Sequence, residues 1–132
     1  MKKILFVLLA FLVSNSVFSQ REFTMNEGDS VITMKRYVFM LLEEGENRNQ
    51  DSISAANIQK GHMEHLDKLA SSGKLVMAGP FEKGGKYRGL LIFDTETSEE
   101  AEHLERDDPA VKSGRLKMTT FYWWTAKGTQ LN

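Results

Sequence analysis

Apolar residues along the chain gather into runs separated by polar, glycine-containing breaks, and the period of each run predicts its element. Met34 to Leu42 (MKRYVFMLL) is rich in aromatic and aliphatic residues and stops at Glu43-Glu44-Gly45, the pattern of a strand. After the polar loop GENRNQD, residues Ser52 to Ser72 contain no proline and repeat apolar positions three and four apart. Ile58, His62, Leu66 and Leu69 share one face of a 3.6-residue helix with Ala55 beside them, and Gly73 supplies its stop. Leu75 to Ala78 is a short apolar run closed by Gly79-Pro80, and Leu90 to Phe93 is another that closes at Asp94. Thr97-Ser98-Glu99-Glu100 fits a capping box opening a short acidic helix, which must end at or before Asp108 because Pro109 follows. Arg115 to Trp124 is the last strand, and residues 125–132 form a frayed tail. The order β-α-β-β-α-β predicts a ferredoxin-like α+β sandwich, a four-stranded antiparallel sheet with two helices on one face.

That fold makes a demand the pattern does not meet in a monomer. Tyr37 to Leu42 and Leu90 to Phe93 are continuous apolar runs, as in strands covered on both faces, yet the two helices cover only one. The expectation is therefore a homodimer packed sheet to sheet through alternate positions of these strands and of Met118 to Trp124.

The first twenty residues change what counts as the working protein. Lys2 and Lys3 precede an apolar stretch from Ile4 to Val13, then Ser14-Asn15-Ser16 and a small-residue site at Val17-Phe18-Ser19, the three regions of a secretory signal peptide. The apolar run falls well short of the roughly 20 residues a spanning helix needs, so cleavage before Gln20 and no stable membrane insertion are expected. Residues 20–33 (QREFTMNEGDSVIT) are polar without clear period and read as an extension ahead of a domain at 34–124. Of the 132 residues, 41% are hydrophobic and 27% charged, with a net charge of −1 and no cysteine. Removing residues 1–19 takes away two lysines and no acids. A chain of that balance offers no basic surface for nucleic acid, no disulfide, no thiolate metal ligand and no cysteine nucleophile.

Chemistry then rests on few residues. His62 lies mid-way along the apolar helix face, either as a core histidine tied to backbone or as a general base in a dry pocket. His65 sits at that face's margin, and His103 rides a glutamate-rich helix as a solvated residue. The HxxH pair lacks the four-residue spacing of the metalloprotease motif and any cysteine to complete a site, so neither metal nor cofactor is expected. Asp108 shares a helical face with Ala101 and Leu104; alternatively it caps a short turn, DPAVKSG, stopped by Gly114. If it reaches His62 it can orient the ring. Arg48 and Arg88 are the cations closest to strand or loop ends, where α+β folds place sites, and the alternative for each is a surface ion pair. Trp123 and Trp124 put one indole on each face of the last strand.

The runs GHMEHLDKLASSGKLVMAGPF, RGLLIFDT and SEEAEHLERDDPAVKSG, with the closing aromatic strand, resemble the YCII-related (YciI-like) family over residues 34–124. The motifs appear here as His62, Leu66, Leu69, Ala78-Gly79-Pro80, Gly89, Asp108-Pro109 and Gly114. The resemblance implies a ferredoxin-like fold of the dimeric α/β-barrel group and a His/Asp catalytic pair in a pocket, which maps to His62 and Asp108. His65 matches a second histidine of many members. One member is a dehydrochlorinase acting on a chlorinated hydroxyquinol, while most have no established substrate. The implied activity is metal-independent proton transfer on an unidentified small molecule, by elimination, isomerisation or hydrolysis, with Arg88, Arg48 and His65 binding it. A binding module without catalysis is the competing class. The leader and the extension through Ile32 depart from the short cytoplasmic chains typical of the family.

Overall fold

The computed structural model describes residues 20–83 and 85–132, so the expected leader at 1–19 lies outside the described residues. Strands β1 (Glu22–Glu27) and β2 (Ser30–Glu44) are followed by helix α1 (Ser52–Ser71), strands β3 (Leu75–Pro80) and β4 (Tyr87–Phe93), helices α2 (Ser98–Glu105) and α3 (Pro109–Lys112), and strand β5 (Leu116–Ala126). The architecture is α+β and ferredoxin-like. Across the sheet the four inner strands run β3-β4-β2-β5, all antiparallel, so the first and third strands of the expected motif are central.

The sheet has a fifth strand where the sequence reading placed a polar extension. Residues 22–27 pair with 30–35 through a two-residue turn in which Gly28 has φ +59°. That conformation suits the glycine-first hairpin turn, whose twist matches the flanking strands. The hairpin was hidden because most of its side chains face solvent, Val31 among them at 70% exposed, so no buried face imposes a period. β2 accordingly starts at Ser30 rather than Met34, and its added length holds the chain end in place. Ala126 pairs with Met34, and Lys127 N–H donates to the Thr33 carbonyl, so strand structure continues two residues into the expected tail.

β1 and β4 lie end to end along one edge of β2 while β5 takes the other. At their junction Asp94 bridges Arg21 at 2.5 Å and Lys35 at 2.7 Å, and Arg21 also reaches Glu96 at 2.9 Å. Phe23 meets Trp124 with ring centroids 5.0 Å apart.

The core fills the helix-covered face: Val38, Met40 and Leu42 from β2, Leu91 and Phe93 from β4, Leu75 from β3, Leu69 from α1 and Ala101 from α2. The opposite face alternates with it and is open in part: Ile92 is buried there, while Phe121 is 52% and Trp123 41% exposed, with Phe39 between them in edge contact with both rings. The capping of α2 differs slightly from the expected box. Thr97 accepts from Glu100 N–H, but Glu100 reaches back to the Glu96 N–H.

Candidate active site

A cavity of about 390 Å³ opens between α1, α3 and the β3, β4 and β5 side of the sheet. Its walls come from Ile58, His62, Met63 and Leu66 on α1, Ala78 and Pro80 on β3, Arg88 and Leu91 on β4, and Ala110 and Leu116 beyond. Arg48 and Arg115 complete it from the two loops that cross at the end of the sheet. The size and the mixture of apolar wall with a few polar groups are those of a small-molecule pocket.

His62 enters this cavity because α1 and α3 pack closely. Gly61 makes that approach possible, since a Cβ there would stand 2.8 Å from Pro109 Cγ. Pro109 is the first residue of α3 and Asp108 is its N-cap, with Oδ1 accepting from the Ala110 N–H at 2.7 Å. The other oxygen, Oδ2, lies 2.5 Å from His62 Nδ1. The cap and the histidine partner, read from sequence as alternatives that can coexist, are thus one carboxylate with two acceptor jobs. α2 stops at Glu105, so Asp108 belongs to the next turn and not to the α2 face shared by Ala101 and Leu104.

Burial pushes the Asp108 carboxyl up, but the hydrogen bond and charge attraction of His62, with the Ala110 N–H, outweigh it and hold the group below the ordinary carboxylate value. An ionised Asp108 requires the proton on His62 Nδ1. The ring's side chain is 11% exposed, and Nε2 is the nitrogen left for the cavity. A core histidine with both nitrogens tied to backbone is therefore not what the structure contains.

Arg48 and Arg88 both line the cavity, as does Arg115, which sequence reasoning passed over. Its position just after Gly114, at the start of the last strand, was the available signal. Glu44 bonds Arg88 directly and lies 3.6 Å from Arg48 Nε. Burial first, then repulsion from Arg115 and Arg88, pulls the Arg48 guanidinium below its usual value. Arg88 Nε is buried with no hydrogen-bond partner among the described residues. One carboxylate facing three guanidinium groups leaves the cavity mouth with positive charge to offer a ligand.

His65 is not at the cavity, contrary to its expected ligand-binding role. It turns toward α2, where Nε2 donates to the Leu104 carbonyl at 3.1 Å and lies 3.7 Å from Glu105 Oε2. Glu105 is a second residue the sequence reading missed. It is fully buried, and burial first, then the charge of Asp108, raises its carboxyl to about 9. The signal was its place four residues after Ala101, on the inward face of α2. His62, Glu105 and Asp108 offer ligand atoms within 4.8 Å of one another, the one such group among the described residues that could hold a metal ion. A cation there would have to displace the donors that already engage both Asp108 oxygens.

A family model for the YCII-related domain matches residues 38–125, about two thirds of the chain. The chain belongs to the YCII-related family. Within it, the uncharacterized protein YjpA of Bacillus subtilis (strain 168) is 34% identical over 86 residues, covering 64% of this chain and 89% of YjpA. Among solved structures, 5-chloro-2-hydroxyhydroquinone dehydrochlorinase (TftG) of Burkholderia phenoliruptrix AC1100, in complex with 2,5-dihydroxybenzoquinone, is 19% identical with a TM-score of 0.47. That match covers 65% of this chain and 92% of the other. The YCII-related match takes in β2 from Val38 onward and every element carrying the cavity, and leaves out β1 and its turn.

Proposed function

We propose that the protein is a small-molecule enzyme that moves a proton with His62, oriented by Asp108, on an anionic substrate. The observation that carries this reading is the 2.5 Å contact of Asp108 with His62 Nδ1 at the wall of a cavity of ligand size. With Nδ1–H held by an ionised carboxylate, Nε2 is a base for a carbon or oxygen acid, and Asp108 stabilises the imidazolium that forms. Arg48, Arg88 and Arg115 supply donors for a carboxylate or enolate oxygen and stabilise negative charge as it develops. Elimination or isomerisation next to an enolisable centre suits this set best.

A binding module would use the same arginines without turnover, and His62→Ala separates the two. The variant is expected to lose turnover of hydroxylated aromatic acids or enol lactones by ~100-fold or more, the range of a removed general base, while ligand affinity by calorimetry changes little. Lost affinity with no turnover in either protein would support the binding module instead.

Two further parts of the reading concern setting. The open sheet face with Phe121 and Trp123 supports a sheet-to-sheet homodimer, and a monomer by sedimentation at micromolar concentration would contradict it. The lysine pair and apolar run of residues 2–13 support export, to be checked by N-terminal sequencing of the protein outside the cytoplasm, with Gln20 as the expected first residue.

A further inference from the structure

Glu105 presents a problem in polar accounting. Its two oxygens are buried and receive no donor from any described residue. The titratable groups facing it are Asp108 at the start of α3 and His62 and His65 from α1. Asp108 is an acceptor only, already ionised, and His65 spends its Nε2–H on the Leu104 carbonyl. A carboxylate at Glu105 would be a second buried negative charge beside the first, with no hydrogen-bond donor among the described residues to satisfy it, and burial disfavours that state. A carboxylic acid has one O–H to give, and the adjacent acceptor is Asp108.

We propose that Glu105 is a positioning residue of the site, its carboxyl O–H donating to Asp108 and completing an acid–carboxylate–imidazole row that ends at the cavity. Asp108 then holds three donors, the Ala110 N–H and the His62 Nδ1–H seen in the structure and the added O–H of Glu105, a carboxyl oxygen of which lies within 4.8 Å of one of its own, and its plane is fixed from three sides. The proton occupies the place among His62, Glu105 and Asp108 that a divalent ion would otherwise take. The inference rests on the proton-transfer reading of His62, but its test uses no substrate, so each can fail without the other.

The test is a carbon-13 NMR titration of the labelled protein, with the Glu105 Cδ resonance assigned by its absence from Glu105→Gln. Glu105 Cδ is expected to keep the shift of a neutral acid from about pH 5 to about pH 8, while exposed glutamates titrate near 4.3. Titration together with the exposed glutamates would overturn the proposal. So would one stoichiometric divalent ion in the native mass spectrum of the wild-type protein. Two variants read the positioning role. Glu105→Gln retains a donor and is expected to leave the downfield His62 Nδ1–H proton where the wild type has it. Glu105→Leu removes the donor, so Asp108 accepts more strongly from His62 and the resonance moves downfield. Equal spectra for the two variants would contradict the role, and if Glu105→Leu fails to fold the wild-type titration still decides.

Discussion

Asp94 and Asp108 are the same residue type in two clusters with opposite physics. Asp94 stands at the junction of β1 and β4, partly exposed, between Arg21 and Lys35. Burial raises its carboxyl somewhat, but the hydrogen bonds and charges of Lys35 and Arg21 outweigh that and hold it low. Asp108 is fully buried among His62, a backbone N–H and the neutral Glu105. The first cluster fastens an extension to the domain with charges that water and salt can screen. The second orients one imidazole with groups that water does not reach. The difference predicts that the Asp108 cluster answers to pH and to lost partners, and the Asp94 cluster to ionic strength.

The largest effect is expected from Asp108→Ala, which uncaps α3 and strands both the His62 N–H and the Glu105 O–H. Urea unfolding should show a loss of ~3–5 kcal/mol, as when one partner of a buried pair is removed. A loss below ~1 kcal/mol would place Asp108 on the same footing as Asp94.

Next is the pH dependence of stability. Glu105 keeps its proton to about 9 in the folded chain but releases it near 4.5 when unfolded. The folded state holds the extra proton between those values, so this residue makes stability fall as pH rises through that window, by up to ~1.4 kcal/mol per unit. Asp108 acts in the other direction, contributing stability above its unfolded pKa that is lost as pH falls through its lower folded value. Glu105→Gln should flatten the decline between pH 5 and pH 8 in unfolding curves, and an unchanged slope would count against a buried neutral acid.

Gly61→Ala comes third. Alanine favours the helix by ~1 kcal/mol, but its Cβ meets the stiff Pro109 ring at 2.8 Å, and overpacking of that kind costs ~1–3 kcal/mol. Net destabilisation with a weakened His62 Nδ1–H resonance is expected, since the contact it opens carries Asp108; net stabilisation would show that α1 and α3 can part freely. The smallest effect belongs to Asp94→Ala, at most ~1 kcal/mol and largely removed by about 0.5 M salt.

The inner fold was legible because its strands are apolar where buried and its helices carry strong start and stop signals at Thr97, Asp108-Pro109 and Gly73. His62 was legible as a polar residue on an apolar face, and Asp108 as a cap ahead of proline. What stayed hidden lacked a burial pattern or depended on long-range approach. The β1 hairpin exposes most of its side chains. Arg115 meets Arg48 only where two distant loops cross, with Arg48 donating to the Arg115 carbonyl at 2.8 Å. His65, one turn from His62, faces α2 and not the cavity, a choice set by the packing of the two helices.

The central claim, that His62 Nε2 removes a proton from an anionic ligand, is tested most directly by deuterium exchange. Enolisable carboxylic acids incubated with the protein in D2O are followed by proton NMR. The wild type is expected to exchange the acidic C–H of at least one of them faster than buffer, and His62→Ala to bind that ligand without exchanging it. Equal exchange by the wild type and His62→Ala would contradict the account.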